Sequence, residues 1–199
     1  MTVIIAAKAK GRVVIGSDSL VSIDGMRVLN TVGDTKLVKF ANFTIGIAGS
    51  GPIREVLEQM IEGVFTQDGD HPADHDWYNH EILNKLDAGD FARQAWGFFK
   101  SELGYSPLEP KYEEFATMVG QMLIATPDKI FVVFPELSVQ EIGTFASIGC
   151  GEELALGSLE VLYKPNLNTK GLANIVRLSL ETACKYNTFC GGDLEIQLL

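Results

Sequence analysis

The sequence predicts an α+β fold, a four-layer αββα sandwich in which two antiparallel sheets pack together and helices cover both outer faces. Two observations indicate this arrangement. Short strand patterns and pairs of helical patterns follow one another in the order strands, two helices, strands, two helices, strand. Packing two sheets face to face with helices outside buries the apolar faces of all these elements.

The N-terminal third is predicted to form successive antiparallel hairpins. A turn at Lys10-Gly11 separates the first two apolar runs, which are rich in β-branched residues. The expected strands are Thr2 to Ala9, Arg12 to Ser17, Met26 to Asn30, Lys36 to Phe40 and Phe43 to Ala48.

A pair of helices is expected next. Pro52 suits the first position of a helix, and apolar residues at helical spacing follow it as far as Val64. A polar, acidic stretch from Gln67 to Glu81 leads to a second helical pattern from about Ile82 to Leu103.

The second half of the chain repeats this order. Phe115 to Ala125 and Ile130 to Phe134 are predicted to form a buried hairpin, and we expect a second sheet to begin there. Helices are expected at about Glu152 to Tyr163 and at Leu172 to Tyr186, the latter behind a Thr169 cap. The inward positions of the last helix are Leu172, Ile175, Val176, Ser179 and Ala183, and the alternation of Leu194, Ile196 and Leu198 predicts a closing strand.

Composition favours one domain over residues 1–199 and excludes several classes of partner. The chain has 199 residues, of which 46% are hydrophobic, enough for one sizeable core. Its formal net charge of −10 argues against a partner that offers a phosphate backbone, so we expect no nucleic acid. The sequence shows neither a secretory signal nor an apolar run of about 20 residues, so we expect a soluble, cytoplasmic protein with no membrane contact.

The cysteines and histidines predict neither a disulfide framework nor a metal site, and we expect no cofactor. Cys150, Cys184 and Cys190 are odd in number and lack a C-x-x-C pair, so reduced and mostly buried thiols are expected. Three histidines at 71, 75 and 80 lie among aspartates, but their spacing fits no ligand pattern and favours a solvated acidic loop.

Thr2 is the first candidate for chemistry. It becomes the first residue of the chain when Met1 is removed, and its hydroxyl then lies beside a free α-amine. An α-amine with a pKa of about 8 is partly deprotonated and can accept the hydroxyl proton, so one residue would hold both nucleophile and base. Many proteins begin with Met-Thr, so this pair alone carries little weight.

Asp18 and Lys36 are expected near Thr2, because both lie at the ends of predicted strands close to the start of the first one. An ammonium there would disfavour a protonated α-amine and stabilise a negative oxygen, while the carboxylate held the lysine in place. The alternative is a plain surface salt bridge.

The segment Ala48-Gly49-Ser50-Gly51 lies between a predicted strand and a predicted helix. Small residues there let the backbone approach a ligand and leave N–H groups to face an oxyanion. A structural turn explains the same segment equally well in isolation.

Taken together, these residues resemble the β-type subunits of the proteasome and the bacterial proteasome-like peptidase HslV, which are N-terminal nucleophile hydrolases. The resemblance extends over nearly the whole chain as an ordered series at matching intervals. It rests on Thr2, on Val-Val-Ile-Gly-Ser-Asp ending at Asp18, on Lys36, on Ile-Ala-Gly-Ser-Gly at 47–51, on Ser-Ile-Gly-Cys-Gly at 147–151 and on Cys190-Gly191-Gly192.

The resemblance implies a threonine peptidase. Thr2 would be nucleophile and base, Lys36 the tuning charge, Asp18 the partner of the lysine, and the N–H of Gly49 the oxyanion donor. The reaction would be amide hydrolysis through an acyl-enzyme ester. The likeness also implies stacked rings of six or seven copies that admit unfolded polypeptides, with an ATP-dependent unfoldase or cap as a further partner.

The chain departs from the family pattern around this site. The family usually has serine where Cys150 stands, and an aspartate with a serine near the positions of Asn187 and Cys190. Cys150 is therefore a candidate for the network around Thr2, and an independent Cys150 nucleophile is a minor alternative. Ile47 is expected to point to the same side as Gly49 and, with Ser50, to contact substrate at an apolar pocket floor.

Two alternatives to a threonine peptidase remain. The first is a catalytically silent ring subunit or scaffold of the same fold, against which Thr2, Asp18 and Lys36 argue. Non-catalytic proteasome subunits also carry an N-terminal extension for which this chain leaves no room. The second is a small-molecule amidase of the same superfamily, a class whose chains are usually larger.

Overall fold

A computed structural model describes residues 2–23, 26–28, 35–40, 43–49, 57–58, 88–93, 95, 120–135 and 138–199. The strands are β1 (Ile4–Ala9), β2 (Arg12–Asp18), β3 (Val21–Ile23), β4 (Met26–Val28), β5 (Leu37–Phe40), β6 (Phe43–Gly49), β7 (Gly120–Ala125), β8 (Ile130–Val133), β9 (Val139–Ile142), β10 (Phe145–Ile148) and β11 (Leu194–Leu198). The helices α1 (Glu152–Leu162) and α2 (Thr169–Tyr186) lie between the last two strands.

The first sheet has the order β10-β1-β2-β11, with every pair antiparallel. Lys10 and Gly11 have φ values of 50° and 68° in the turn between β1 and β2. A two-residue turn with positive φ at both positions matches the twist of the strands it joins, so the predicted hairpin is confirmed. β3 and β4 form a separate antiparallel pair.

The second sheet has the order β5-β6-β7-β8-β9, also antiparallel throughout. The hairpin β7-β8 forms as predicted, but the expectation that a new sheet begins with it is wrong. β7 pairs along the edge of β6, where Ile45 lies opposite Ile124, so the second sheet already begins at β5. Strand patterns carry no information about which distant strand will be a neighbour.

Three apolar layers hold the sandwich together. The two sheets face each other through a cluster that includes Ile4, Ile15 and Leu123. The other face of the first sheet packs on α1 and α2 through a second cluster. The outer face of the second sheet packs on helical residues at 57, 88–93 and 95 through a third cluster that includes Phe91. The four-layer αββα arrangement predicted from the sequence is therefore confirmed.

Helix α2 confirms the predicted inward face, because Leu172, Ile175, Val176, Ser179 and Ala183 are all buried. Its cap differs from the prediction. Asn168 is the N-cap residue, and its side-chain oxygen accepts a hydrogen bond of 2.8 Å from the Gly171 N–H. The expected Thr169 instead occupies the first turn, because the asparagine just before it satisfies the orphan donor equally well.

Three strands, β3, β9 and β10, were not predicted. They are three or four residues long, which is too short for the alternation of apolar and polar residues to stand out. The predicted helices at 52–64 and 82–103 and the acidic stretch at 67–81 lie largely outside the described residues. Within the part of the chain that is described, no helix combines the length and the apolar character needed to cross a membrane.

Candidate active site

Asp18, the last residue of β2, is the centre of the candidate site. Its side chain is fully buried. One carboxylate oxygen accepts hydrogen bonds from the Val3 N–H at 2.9 Å and from the Lys36 ammonium at 2.6 Å. The other oxygen accepts a bond of 2.9 Å from the Gly191 N–H. A buried carboxylate with three donors is well compensated for the loss of water.

Lys36 immediately precedes β5, as the sequence predicted, and its side chain reaches from the second sheet to Asp18 of the first. The side chain of Lys36 is only 13% exposed. Its ammonium and the Val3 N–H bind the same oxygen of Asp18, so the positive charge lies within two hydrogen-bond lengths of the backbone next to Thr2. A plain surface salt bridge does not describe this largely buried pair.

Thr2 is buried, and three hydrogen bonds hold its backbone. Its nitrogen, an amide here because Met1 precedes it, donates a hydrogen bond of 3.2 Å to the Cys150 sulfur. Its carbonyl oxygen accepts bonds of 3.3 Å from the Cys150 thiol and from the Gly151 N–H. The amide nitrogen occupies the place that an α-amine would take if Met1 were removed.

Gly149 permits the close approach of β10 to Thr2. Its φ is +95°, a conformation that side chains with a Cβ rarely adopt. A Cβ at this position would lie 2.3 Å from the Thr2 carbonyl oxygen and 3.2 Å from the Ala48 side chain. Thr2 and the end of β6 therefore both border Gly149, which brings the segment that contains Gly49 to the Thr2 end of the sandwich.

Cys150 links Thr2 to the loop after α2. Its sulfur lies 3.7 Å from the Cys190 sulfur, and its carbonyl oxygen accepts a hydrogen bond from the Asn187 side-chain amide. Cys190 is buried, as expected, but Cys150 is exposed, so the prediction of mostly buried thiols is wrong at that position. Burial, together with the neighbouring Asp18 carboxylate, raises the pKa of the Cys190 thiol well above its usual range.

The predicted substrate-contacting residues are only partly described. Gly49 ends β6 and is exposed, which leaves its backbone open to a ligand. Ile47 is half-buried and packs against the cluster on the outer face of the second sheet. Ser50 lies outside the described residues. The roles assigned to Gly49, Ile47 and Ser50 stay predictions.

Two residues support the site in roles that were not assigned from the sequence. The Gly191 N–H is the third donor to Asp18, and the glycine pair after Cys190 was the feature that could have indicated it. The Gln121 side chain accepts a hydrogen bond of 3.3 Å from the Gly149 N–H and so fixes the turn beside Thr2. Nothing in the β7 sequence distinguishes Gln121 from an ordinary polar strand residue.

The arrangement is suited to proton transfer at Thr2. A buried ammonium next to an α-amine would lower the pKa of that amine, and a fixed carboxylate would keep the ammonium in place. In the described part of the chain, His, Cys, Asp and Glu side chains form no group of three or more that could hold a metal ion. The three histidines lie outside the described residues.

Comparison with known proteins extends these observations. No family model matches the chain. The proteasome subunit beta of Nanoarchaeum equitans (strain Kin4-M) is 25% identical over 206 residues, which cover 98% of this chain and 91% of that protein. The structure of Thiobacillus denitrificans BPH superimposes with a TM-score of 0.78 at 20% identity, covering 99% of this chain and 97% of the other. The structure of the same protein in complex with epoxomicin gives the same values.

The structural likeness establishes the fold, and the sequence likeness runs through almost the whole chain. The chain is therefore similar to a proteasome β-type subunit from end to end, and the resemblance inferred from its motifs is confirmed.

Proposed function

We propose that this chain is the threonine-type endopeptidase subunit of a self-compartmentalising, proteasome-like ring. In this proposal the removal of Met1 exposes Thr2, whose hydroxyl attacks the peptide bond of an unfolded polypeptide. The chain acts as a single domain over residues 1–199, in the cytoplasm and without a cofactor.

One observation carries the proposal, namely that the carboxylate of Asp18 joins Lys36 to the backbone next to Thr2. Residues 2, 18 and 36 are far apart in sequence, yet they converge in a buried cluster at one end of the sandwich. Buried charges beside a nucleophile are typical of sites that adjust a pKa.

The chemistry follows from this placement. The α-amine of Thr2 would take the proton of its own hydroxyl, directly or through a water molecule, while the Lys36 ammonium keeps the amine unprotonated. The hydroxyl oxygen then attacks the carbonyl carbon and the amine returns the proton to the leaving nitrogen, which gives an ester on Thr2. Water hydrolyses the ester and restores the hydroxyl.

The surroundings of Thr2 support the same reaction. The developing oxyanion would be held by the N–H of Gly49, on the strand end that borders Gly149. The Cys150 sulfur, at 3.2 Å from the Thr2 nitrogen, would accept a hydrogen bond from the amine and orient its lone pair. Ile47 and Ser50 would contact the substrate side chain next to the cleaved bond.

We infer the assembly and the partners of this chain from its likeness to a proteasome β subunit. We propose stacked rings of six or seven copies that enclose the Thr2 sites and exclude folded proteins. An ATP-dependent unfoldase or cap would deliver the polypeptide. The oligomer measured by light scattering should correspond to twelve or fourteen copies.

The decisive experiment compares Thr2→Ala with the wild-type protein on fluorogenic peptides. Loss of the nucleophile should lower kcat/KM by about 10⁴-fold, because little remains when a covalent nucleophile is removed. Thr182→Ala is the matched control, since it removes the same atoms from a half-buried position on α2. Undiminished turnover by Thr2→Ala with an intact oligomer would rule out this nucleophile and direct attention to Cys150.

A second measurement tests the free amino terminus. Intact-mass analysis of protein from its native host should show the chain without Met1, and epoxomicin should add its mass to the N-terminal peptide. Epoxomicin is a suitable probe because a structure of the similar Thiobacillus denitrificans BPH contains it.

The second candidate function is a catalytically silent ring subunit. Cys150 and Asn187 favour it, because they stand where the resembled family usually carries serine and aspartate, and a thiol is a weaker hydrogen-bond partner than a hydroxyl. A chain that retains Met1, gains no epoxomicin mass and cleaves no peptide would establish this second function in place of the first.

A further inference from the structure

We infer that Cys150 and Cys190 form a redox pair, which a peroxide converts to a disulfide and a thiol reductant restores. The same conversion switches the Thr2 site to a less active state, an inference that rests on the proposed function.

The two sulfurs are already neighbours although 40 residues separate them in the chain. They lie 3.7 Å apart, within hydrogen-bonding distance for two thiols. A disulfide needs a sulfur separation of about 2.05 Å, so the sulfurs have less than about 2 Å to move. The loop that carries Cys190 is tied to Cys150 by the Asn187 side chain, which donates to the Cys150 carbonyl oxygen. This hydrogen bond therefore keeps the two thiols close together.

The two thiols differ in a way that assigns them separate roles. Cys150 is exposed, so a small oxidant reaches its sulfur from solvent. Cys190 is buried beneath it, and burial together with Asp18 raises the pKa of its thiol. A buried protonated thiol reacts slowly with peroxide. Cys150 is therefore the residue that peroxide oxidises. Cys190 is the residue that then attacks the oxidised Cys150 to form the disulfide.

The reaction balances with hydrogen peroxide as the oxidant. The Cys150 sulfur attacks one peroxide oxygen, the O–O bond breaks, and the second oxygen leaves as water, which gives a sulfenic acid. The Cys190 sulfur then attacks the Cys150 sulfur. The S–O bond breaks, and the hydroxyl leaves as water with the Cys190 thiol proton. In sum, two thiols and one peroxide become one disulfide and two waters.

The disulfide would alter the contacts of Thr2. In the reduced state the Cys150 thiol accepts a hydrogen bond from the Thr2 nitrogen and donates one of 3.3 Å to the Thr2 carbonyl oxygen. A disulfide sulfur has no hydrogen to donate, and it is drawn toward Cys190. Thr2 would lose one hydrogen bond and have the other lengthened, so we expect turnover to fall by about tenfold, the effect of one hydrogen bond on a barrier.

The pairing is tested by peptide mapping of the full chain after stepwise addition of hydrogen peroxide. Lys185 separates Cys184 from Cys190, so trypsin places the three cysteines on three different peptides. We expect the Cys150 and Cys190 peptides to appear linked in the unreduced digest and separate after dithiothreitol. Linkage of Cys184 to Cys190, or oxygen added to Cys150 without any link, would overturn the inference.

Peptidase activity is followed in the same samples. After peroxide, the turnover of the wild-type protein should fall about tenfold, and dithiothreitol should restore it. Cys184→Ser, a control on α2, should do the same, whereas Cys190→Ser should give no linked peptides and should instead carry the added oxygen on Cys150. A linked pair without any change in turnover would overturn the switch. A reduced protein that cleaves no peptide would instead contradict the proposed function, while linked peptides would still establish the redox pair.

Discussion

Replacing Asp18 with asparagine perturbs the centre of the candidate site with little change in shape. The carboxylate accepts three hydrogen bonds, two on the oxygen that faces Val3 and Lys36 and one on the oxygen that faces Gly191. An asparagine side chain offers one oxygen and one NH₂ group. Whichever way it is turned, its NH₂ group points at a buried N–H donor, and the Lys36 ammonium loses its counter-charge.

The expected cost follows from these contacts. Breaking a buried ion pair by removing one partner costs about 3–5 kcal/mol, and a buried donor left without an acceptor costs about 1–3 kcal/mol. Lys36 is 13% exposed and keeps some access to water, which places the total near the lower end. We expect Asp18→Asn to lower the free energy of unfolding by about 3 kcal/mol, a large part of the 5–15 kcal/mol that is typical of a domain.

Urea unfolding followed by circular dichroism measures this change. Wild type and variant are compared at one protein concentration and in the same oligomeric state, because assembly contributes to apparent stability. Asp193→Asn is the matched control, since it changes the same group at an exposed position nearby and should stay within about 0.5 kcal/mol of wild type. A loss below about 1 kcal/mol for Asp18→Asn would refute the buried ion pair as a structural element.

Two further predictions concern single positions and use the same unfolding assay. Gly149→Ala should cost more than about 2 kcal/mol and abolish turnover, because a Cβ there would meet the Thr2 carbonyl oxygen at 2.3 Å and φ is +95°. Gly157→Ala, in α1 with nothing near its added Cβ, should instead stabilise by about 0.5–1 kcal/mol, and equal costs at both glycines would contradict the steric argument. Ser17→Ala should leave stability unchanged or raise it by about 1 kcal/mol, since the buried hydroxyl has no hydrogen-bond partner among the described residues. A clear loss of stability would show that the hydroxyl forms a stabilising contact.

Local patterns of the sequence were sufficient for most of the secondary structure. The apolar spacing of α2 predicted its buried face, and Lys10-Gly11 predicted the β1-β2 turn, because helical periodicity and turn chemistry act within a few residues. The short strands β9 and β10 were not predicted, because four residues are too few to show the alternation of apolar and polar residues.

The identities of the candidate residues also followed from the sequence, since Thr2, Asp18 and Lys36 are expected at strand ends and recur in the resembled family. Their distances did not follow. Whether two charges form a buried pair or a surface one depends on how strands far apart in the chain are aligned, and here the first sheet supplies Asp18 while Lys36 precedes the second.

By itself the sequence determined most of the described strands and helices, the four-layer class of fold and the candidate residues for chemistry at Thr2. Only the tertiary structure decided that β7 and β8 join the sheet of β5 and β6, and that Cys150 lies between Thr2 and Cys190. The physical reason is the range of the interactions. Periodicity and turns are encoded over a few neighbouring residues, whereas sheet order and sulfur contacts arise when the apolar faces of the whole chain are buried together.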